Sequence, residues 1–182
     1  ELPVVSVGCD NFHGGQQLTE HLLNNGRKKF AFLGGVSNGA PEFKDRYLGH
    51  CHALQQADIT ANPELQFDAI STEESGYDAM KALINSKQPC DAIFAASDLI
   101  AVGALKAMQE HNIKVPQDIA IVGFDDIPIA SFTYPSLTTA RQNTVLAGEL
   151  LVDKLLELIS GEQAQTRLMA TTLVVRESCG SK

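Results

Sequence analysis

The sequence predicts an α/β protein, a parallel sheet with flanking helices, and three observations point there. Short apolar runs rich in β-branched and aromatic residues alternate with longer segments of helical period, the order of strand, crossover helix and strand. Several of these runs are apolar at every position and not at alternate ones, so both faces of the sheet should be covered. Glycine and proline fall between the runs, where turns and helix ends belong. A chain of 182 residues with 44% hydrophobic content can bury a substantial core, and its length fits one domain or one lobe of a larger protein.

The expected strands are residues 4–7, 29–33, 65–70, 92–96, 119–124, 137–142 and 168–175. Between them Phe43, Tyr47, Cys51 and Leu54 recur at helical spacing, as do Ala101, Ala104, Leu105 and Met108, and then Ala147, Leu150, Leu151, Leu155 and Leu158. Each set is expected to form the core face of a helix. Ser71-Thr-Glu-Glu74 has the spacing of a capping box ahead of a helix over residues 76–85, Gly26 and Gly161 follow helical patterns, and Pro116 and Pro135 sit in connections. Gly14-Gly15 and Gly34-Gly35 lack the spacing of a P-loop or a dinucleotide fingerprint and read as turns. No internal repeat emerges.

Charge and cysteine usage narrow the class. Asp and Glu outnumber Lys and Arg 22 to 14, a formal charge of −8, and no basic cluster stands out, so these residues are not expected to touch a nucleic acid directly. Cys9, Cys51, Cys90 and Cys179 include no C-x-x-C pair and are expected to be reduced thiols of a cytoplasmic protein. No apolar stretch approaches the roughly 18 residues of a membrane helix and no signal-peptide pattern opens the chain. Glu1-Leu2-Pro3 lacks an initiator methionine, and the chain is expected to be part of a longer protein.

In an open parallel sheet, ligands bind beyond the carboxyl ends of the strands, where loops and helix N-termini present polar groups around a crevice. The run over residues 119–124 delivers Asp125 and Asp126 to that edge. Residues 92–96 deliver Ser97 and Asp98, and residues 29–33 deliver the Gly34-Gly35 loop and, at the next helix, Arg46. A planar guanidinium and a fixed carboxylate can each make paired hydrogen bonds at defined angles, which suits a hydroxyl-rich or planar polar metabolite. Against that, Asp98 opens a helix and reads as its N-cap. Asp126 reads as a solvated loop carboxylate, and Arg46 alone is open between a ligand contact and a surface ion pair. His50 and His52 are two apart on a helix and do not face each other as metal ligands would. No G-x-S-x-G, H-E-x-x-H or Cys-His pairing offers a nucleophile or a metal centre, so no cofactor and no enzymatic activity are expected.

The motifs FAASDLIAVGAL (94–105), VPQDIAIVGFDDI (115–127) and PSLTTARQ (135–142), with GGQQLTEHL (14–22), DRYLG (45–49) and LVVRES (173–178), resemble the effector-binding region of the lactose-repressor (LacI/GalR) family of bacterial transcription regulators. The resemblance spans nearly all of the chain and keeps the motifs in order. It implies a periplasmic-binding-protein-like lobe that is mostly the C-terminal effector-binding subdomain. Residues 1–8 would be a crossover strand, 9–137 the C-terminal subdomain, 138–161 a crossover and helix belonging to the N-terminal subdomain, and 162–182 the return. A helix-turn-helix domain and most of the first subdomain would lie outside this sequence.

By the same resemblance, Arg46 in the R-x-x-G motif matches a cleft arginine and Asp125 a cleft aspartate. Ser97 matches a position that is Asn in some members, and Gln142 a crossover position that contacts ligand. Asp98 and Asp126 look structural. Ser71 stands where a purine-binding member has a stacking aromatic, and Gly26-Arg-Lys-Lys29 stands in place of the usual G-H-R-R, which favours a sugar over a purine. Phe132 and Tyr134 are candidates for stacking on a pyranose face, with core or interface packing as the competing reading. The implied partners are a small-molecule effector, a second copy in a homodimer, and operator DNA reached only through the absent domain. The rival reading is a periplasmic sugar-binding protein of a transport system, which shares the fold.

Overall fold

The computed structural model describes residues 5–36 and 40–180. In chain order the elements are β1 (Val7–Cys9), α1 (Asn11–Asn24), β2 (Phe30–Leu33), α2 (Pro41–Gln56), β3 (Gln66–Phe67), α3 (Glu73–Ser86), β4 (Ala92–Ala95), α4 (Asp98–Glu110), β5 (Ala120–Val122), β6 (Thr139–Arg141), α5 (Thr144–Ile159), β7 (Arg167–Met169) and β8 (Thr172–Val174).

The centre is a parallel sheet of order β3-β2-β4-β5. Every residue of β2, β4 and β5 is buried, as their unbroken apolar character predicts for strands covered on both faces. The helices pack as two pairs, α1 with α2 and α3 with α4. The largest fully buried side chains, among them Phe32, Phe94, Phe124, Leu18, Leu22 and Ile93, fill the space between sheet and helices, and each contributes about 1.5–3 kcal/mol through burial.

The sheet differs from the predicted one at its margins. The first predicted strand lies at Val7–Cys9, and residue 4 of that reading falls outside the described residues. The run over 65–70 shrinks to Gln66–Phe67, because Pro63–Leu65 forms a 3-10 turn capped by Asn62. The run over 168–175 breaks into two strands with different partners: β7 runs parallel to β1, and β8 runs antiparallel to β6. Short β6 also continues the central sheet through parallel bridges Val122–Thr138 and Asp125–Arg141.

Gly14-Gly15 is no turn but part of α1. A Cβ on Gly15 would lie 2.2 Å from the Arg46 carbonyl oxygen, and one on Gly49 would lie 1.9 Å from that of Phe12. The two glycines face the opposite helix's backbone and let α1 and α2 touch, and α2 is the helix that carries Arg46. The N-cap of α3 is Thr72, whose hydroxyl accepts from the Ser75 amide, one residue later than the capping box suggested.

The predicted core face of α5 is not a core face here. No α5 residue is buried, and Leu151, Leu155 and Leu158 are 52%, 56% and 49% exposed. The periodicity reports an apolar face and not what covers it. Among the described residues α5 lies against β1 and a hollow floored by Leu168 and Met169.

Cys9, Cys51 and Cys90 are free thiols. His50 is 2% exposed, ringed by Phe30, Phe32, Tyr47 and Phe94, with Nδ1 2.9 Å from the Thr19 hydroxyl. Burial pulls its pKa down to about 3, so it is neutral at ordinary pH.

Candidate functional site

The strands β4 and β5 end side by side, and each leads into a polar segment. After β5 the chain reaches Phe124 and then Asp125 and Asp126, whose φ angles are 116° and 57°. Two successive non-glycine residues with positive φ are uncommon and persist only where the surroundings over-determine them. The Asp125 amide donates to the Ala140 carbonyl at 2.9 Å. That bond ties the turn to β6, so Gln142 follows at the same edge.

Arg46 meets this turn from α2. It is 4% exposed, not a surface residue. Its Nε donates to Asn11 Oδ1 at 2.8 Å and its Nη1 to the Ala96 carbonyl at 2.6 Å. The guanidinium lies over the Phe124 ring, 3.7 Å from its centroid. Nη2 is left 3.4 Å from Asp125 Oδ1, and Gln142 Nε2 donates to that same oxygen at 2.6 Å. Among the described residues no donor is bonded to Asp125 Oδ2, and the side chain is 27% exposed. Half of this carboxylate is therefore anchored and half is open.

Burial raises the Asp125 pKa, with Arg46 and Gln142 opposing the rise, and burial lowers that of Arg46, with Asp125 opposing. The two charges support one another, and a hydroxyl-bearing ligand entering between them would find one donor and one acceptor in fixed positions.

Ser97 is the N-cap of α4, its hydroxyl accepting from the Ile100 amide. Ser71 donates to Ser97 Oγ at 2.9 Å, and Ser71 is the exposed member of the pair. Two polar groups therefore meet at the end of β4: Ser71 with Ser97, and Arg46 with Asp125 and Gln142, Arg46 being bonded to the carbonyl of Ala96, the residue before Ser97. Phe132 stands apart from both. It is 81% exposed at the end of the 3-10 turn Pro128–Ser131 and makes no ring contact with another described aromatic. Tyr134, 96% exposed, borders a separate hollow of about 710 Å³ with Leu105, Pro116 and Glu177.

Three expectations need correction. Asp98 is the first residue of α4 and not its N-cap, a role that belongs to Ser97. Asp126 is not a solvated carboxylate: its side chain is 6% exposed and bridges Arg141 and Arg176, each at 2.6 Å. Burial would raise its pKa, but the bonds from Arg176 and Arg141 outweigh this and hold it below the usual carboxylate range. A Cys-His pair does exist, His21 Nε2 lying 3.2 Å from Cys179 Sγ. Cys179 is fully buried and also takes the Thr138 hydroxyl, so no substrate reaches it.

Two site residues were missed. Asn11, which orients Arg46, is silent in sequence because a polar residue after a strand is common. Phe124 reads as strand and becomes the aromatic floor under the guanidinium. The half-buried Cys9 thiol nearby is pushed up to about 11 by burial, with Arg46 opposing, and stays protonated.

The carboxyl ends of the parallel sheet thus carry an open polar wall with a guanidinium and a half-free carboxylate. The chain belongs to the family of periplasmic binding protein-like domains, whose profile matches residues 19–179. It is similar to transcription regulators. The repressor PurR of Haemophilus influenzae (strain PittEE) is 34% identical over 176 residues, covering 94% of this chain and 52% of PurR. The regulator CelR of Thermobifida fusca is 34% identical over 180 residues, covering 98% of this chain and 53% of CelR.

Among solved structures, a CelR–cellobiose complex superposes with a TM-score of 0.90 at 34% identity, covering 97% of this chain and 56% of that one. A LacI-family sugar-binding regulator from Escherichia coli complexed with phosphate gives 0.88 at 29% identity, covering 95% of this chain and 62% of that one. The chain thus spans about half the length of the curated relatives it matches. No helix among its described residues is long and apolar enough to cross a membrane.

Proposed function

We propose that this chain is the effector-sensing part of a LacI-type transcription regulator, a repressor that binds a small sugar or sugar derivative in a cleft between two lobes and controls DNA binding by a separate helix-turn-helix domain. The observation that carries the ligand site is Asp125. Its Oδ1 is held by Arg46 and Gln142, while Oδ2 takes no donor among the described residues at the sheet's carboxyl edge. Hydrogen bonds to charged groups contribute about 1.5–3 kcal/mol each, so the open oxygen and the Arg46 guanidinium together set specificity for a hydroxyl-rich molecule. Ser71 adds an exposed hydroxyl where a stacking ring would favour a planar base.

In this reading residues 9–137 and 162–182 form one subdomain, residues 138–161 belong to the other, and residues 1–8 cross between them. The exposed apolar face of α5 agrees with that division. A ligand that touches both lobes favours their closed arrangement by its differential affinity, and in a cytoplasmic homodimer that shift repositions the DNA-binding heads. The named relatives are regulators, which favours this role over that of a transport receptor.

Calorimetric titration of the chain with mono- and disaccharides, cellobiose included, tests the site. Binding of at least one sugar, lost in Asp125→Asn while the melting temperature stays within about 2 °C, is the expected result. A sugar bound equally well by Asp125→Asn would remove Asp125 from the site.

A further inference from the structure

We propose that Asp98 is a positioning residue: its backbone and carboxylate together clamp the Asp125–Asp126 turn to the β6 crossover, and this clamp holds the ligand-facing carboxylate of Asp125 in place. The inference rests on the reading of Asp125 given above and adds to it a residue that touches no ligand.

The bonding is specific. The Asp98 amide donates to the Phe124 carbonyl at 2.8 Å, and Asp98 Oδ2 accepts from the Ile127 amide at 2.9 Å. Phe124 and Ile127 flank Asp125 and Asp126, so one residue grips the turn at both ends. Its other oxygen, Oδ1, accepts the buried Thr139 hydroxyl at 2.7 Å, and Thr139 begins the strand that leads to Arg141 and Gln142. The turn so gripped is the one with two consecutive positive φ angles, a conformation that needs outside restraint.

A second observation supports the clamp. A Cβ on Gly123 would lie 2.2 Å from Asp98 Oδ1. The carboxylate lies directly against the strand backbone, and glycine leaves the room for it. Asp98 is fully buried and both of its oxygens are engaged, yet among the described residues it has no cationic partner of its own. The charged groups around it are Asp125 and Asp126 on the turn and Arg46 on α2, and the two arginines near Asp126 are engaged by that residue.

Burial pushes the Asp98 pKa up to about 7, Asp125 and Asp126 adding to the rise and the bonds from Thr139 and Ile127 opposing it. A protonated Asp98 still accepts from the Ile127 amide through Oδ2 but donates through Oδ1 to the Thr139 oxygen, so the Thr139 hydroxyl must turn from donor to acceptor. As pH falls through neutrality the bond to Thr139 reverses direction while the grip on Ile127 persists, so the turn senses the ionisation of Asp98 without being released.

The test uses the 182-residue chain without ligand. Amide NMR of the wild type, Asp98→Asn, Asp98→Ala and Thr139→Val is followed between roughly pH 6 and pH 8, with carbon-13-labelled aspartate reporting carboxyl ionisation. In the wild type the Ile127 and Asp125 amides should titrate with the Asp98 carboxyl, about midway through that range. Asp98→Asn keeps an acceptor for Ile127 and can donate to Thr139, so it should hold the turn and abolish the titration. Asp98→Ala should speed hydrogen exchange at Ile127 by roughly tenfold or more at both ends of the range.

If Asp98→Ala does not fold, Thr139→Val carries the test. Loss of a bond that favours the ionised form should raise the Asp98 midpoint. An Ile127 amide indifferent to pH, a titration that survives in Asp98→Asn, or an unmoved midpoint in Thr139→Val would each overturn the clamp. Because no ligand is used, failure here is distinct from failure of the sugar site, which the Asp125→Asn titration decides.

Discussion

Replacing Arg46 with Met separates its structural role from the ligand-facing role proposed for it, because Met keeps most of the apolar stem and removes the guanidinium. Two bonds are lost, to Asn11 Oδ1 at 2.8 Å and to the Ala96 carbonyl at 2.6 Å, each worth about 1.5–3 kcal/mol as a bond from a charged donor. The contact over Phe124 at 3.7 Å adds about 1–2 kcal/mol. Relief of the guanidinium's own desolvation, visible in its lowered pKa, opposes these losses by several kcal/mol. The partly exposed Asp125 left behind is re-solvated at small cost.

The net loss is about 3 kcal/mol, near the lower end for breaking a buried charged pair. For a chain of this length that lowers Tm by roughly 6–12 °C, measured by circular dichroism and checked by urea unfolding at constant m. Arg46→Lys should fall between the two, since an ammonium reaches only one of the two acceptors from that position. A fall below about 2 °C for Arg46→Met would show that these bonds do not hold α1, α2 and β4 together, and that Arg46 is kept for ligand alone.

Three further substitutions probe packing and charge. Gly49→Ala should destabilise the chain by roughly 3 kcal/mol or prevent folding, because its Cβ would lie 1.9 Å from the Phe12 carbonyl oxygen; a wild-type melting curve would contradict the close helix contact. His50 has a folded pKa of about 3 against an ordinary 6.5. The unfolded chain thus binds its proton first, and stability present above about pH 6.5 is lost as pH falls toward 3. His50→Leu should flatten that part of the pH profile in urea titrations, and an unchanged slope would contradict it. Asp126 has the depressed pKa of a paired carboxylate. Its contribution is present above the usual carboxylate range and lost in more acid solution, so Asp126→Asn should lower Tm at neutral pH and leave it nearly unchanged in strong acid.

The fold was legible where physics leaves few choices. Unbroken apolar runs such as Phe30–Leu33 and Ala92–Ala95 had to be strands buried on both faces, and the alternation with helical segments required a parallel arrangement. Residues 168–175 read as one strand because nothing in their composition says that two halves take different partners. The α5 stripe misleads for a related reason: an apolar face is a sequence property, whereas its cover is a property of the assembly.

In the site, the edge rule brought Asp125, Ser97 and Arg46 together, and the family resemblance added Ser71 and Gln142. Asp126 reads wrongly in sequence because its two arginine partners come from positions 15 and 50 residues away in the chain. No local pattern encodes such pairings. Asn11, chosen by geometry alone, is invisible for the same reason. Phe132 is a candidate only as an aromatic near the motif, and its exposure is settled by the fold around it.

The proposed ligand site is tested most directly by a crystal structure of the chain with the sugar that the calorimetric screen selects. A sugar hydroxyl is expected within hydrogen-bonding distance of Asp125 Oδ2 and Arg46 Nη2, with Ser71 and Gln142 beside it. A sugar seated instead in the hollow between Leu105, Pro116 and Tyr134, with the Asp125 carboxylate untouched, would contradict the assignment.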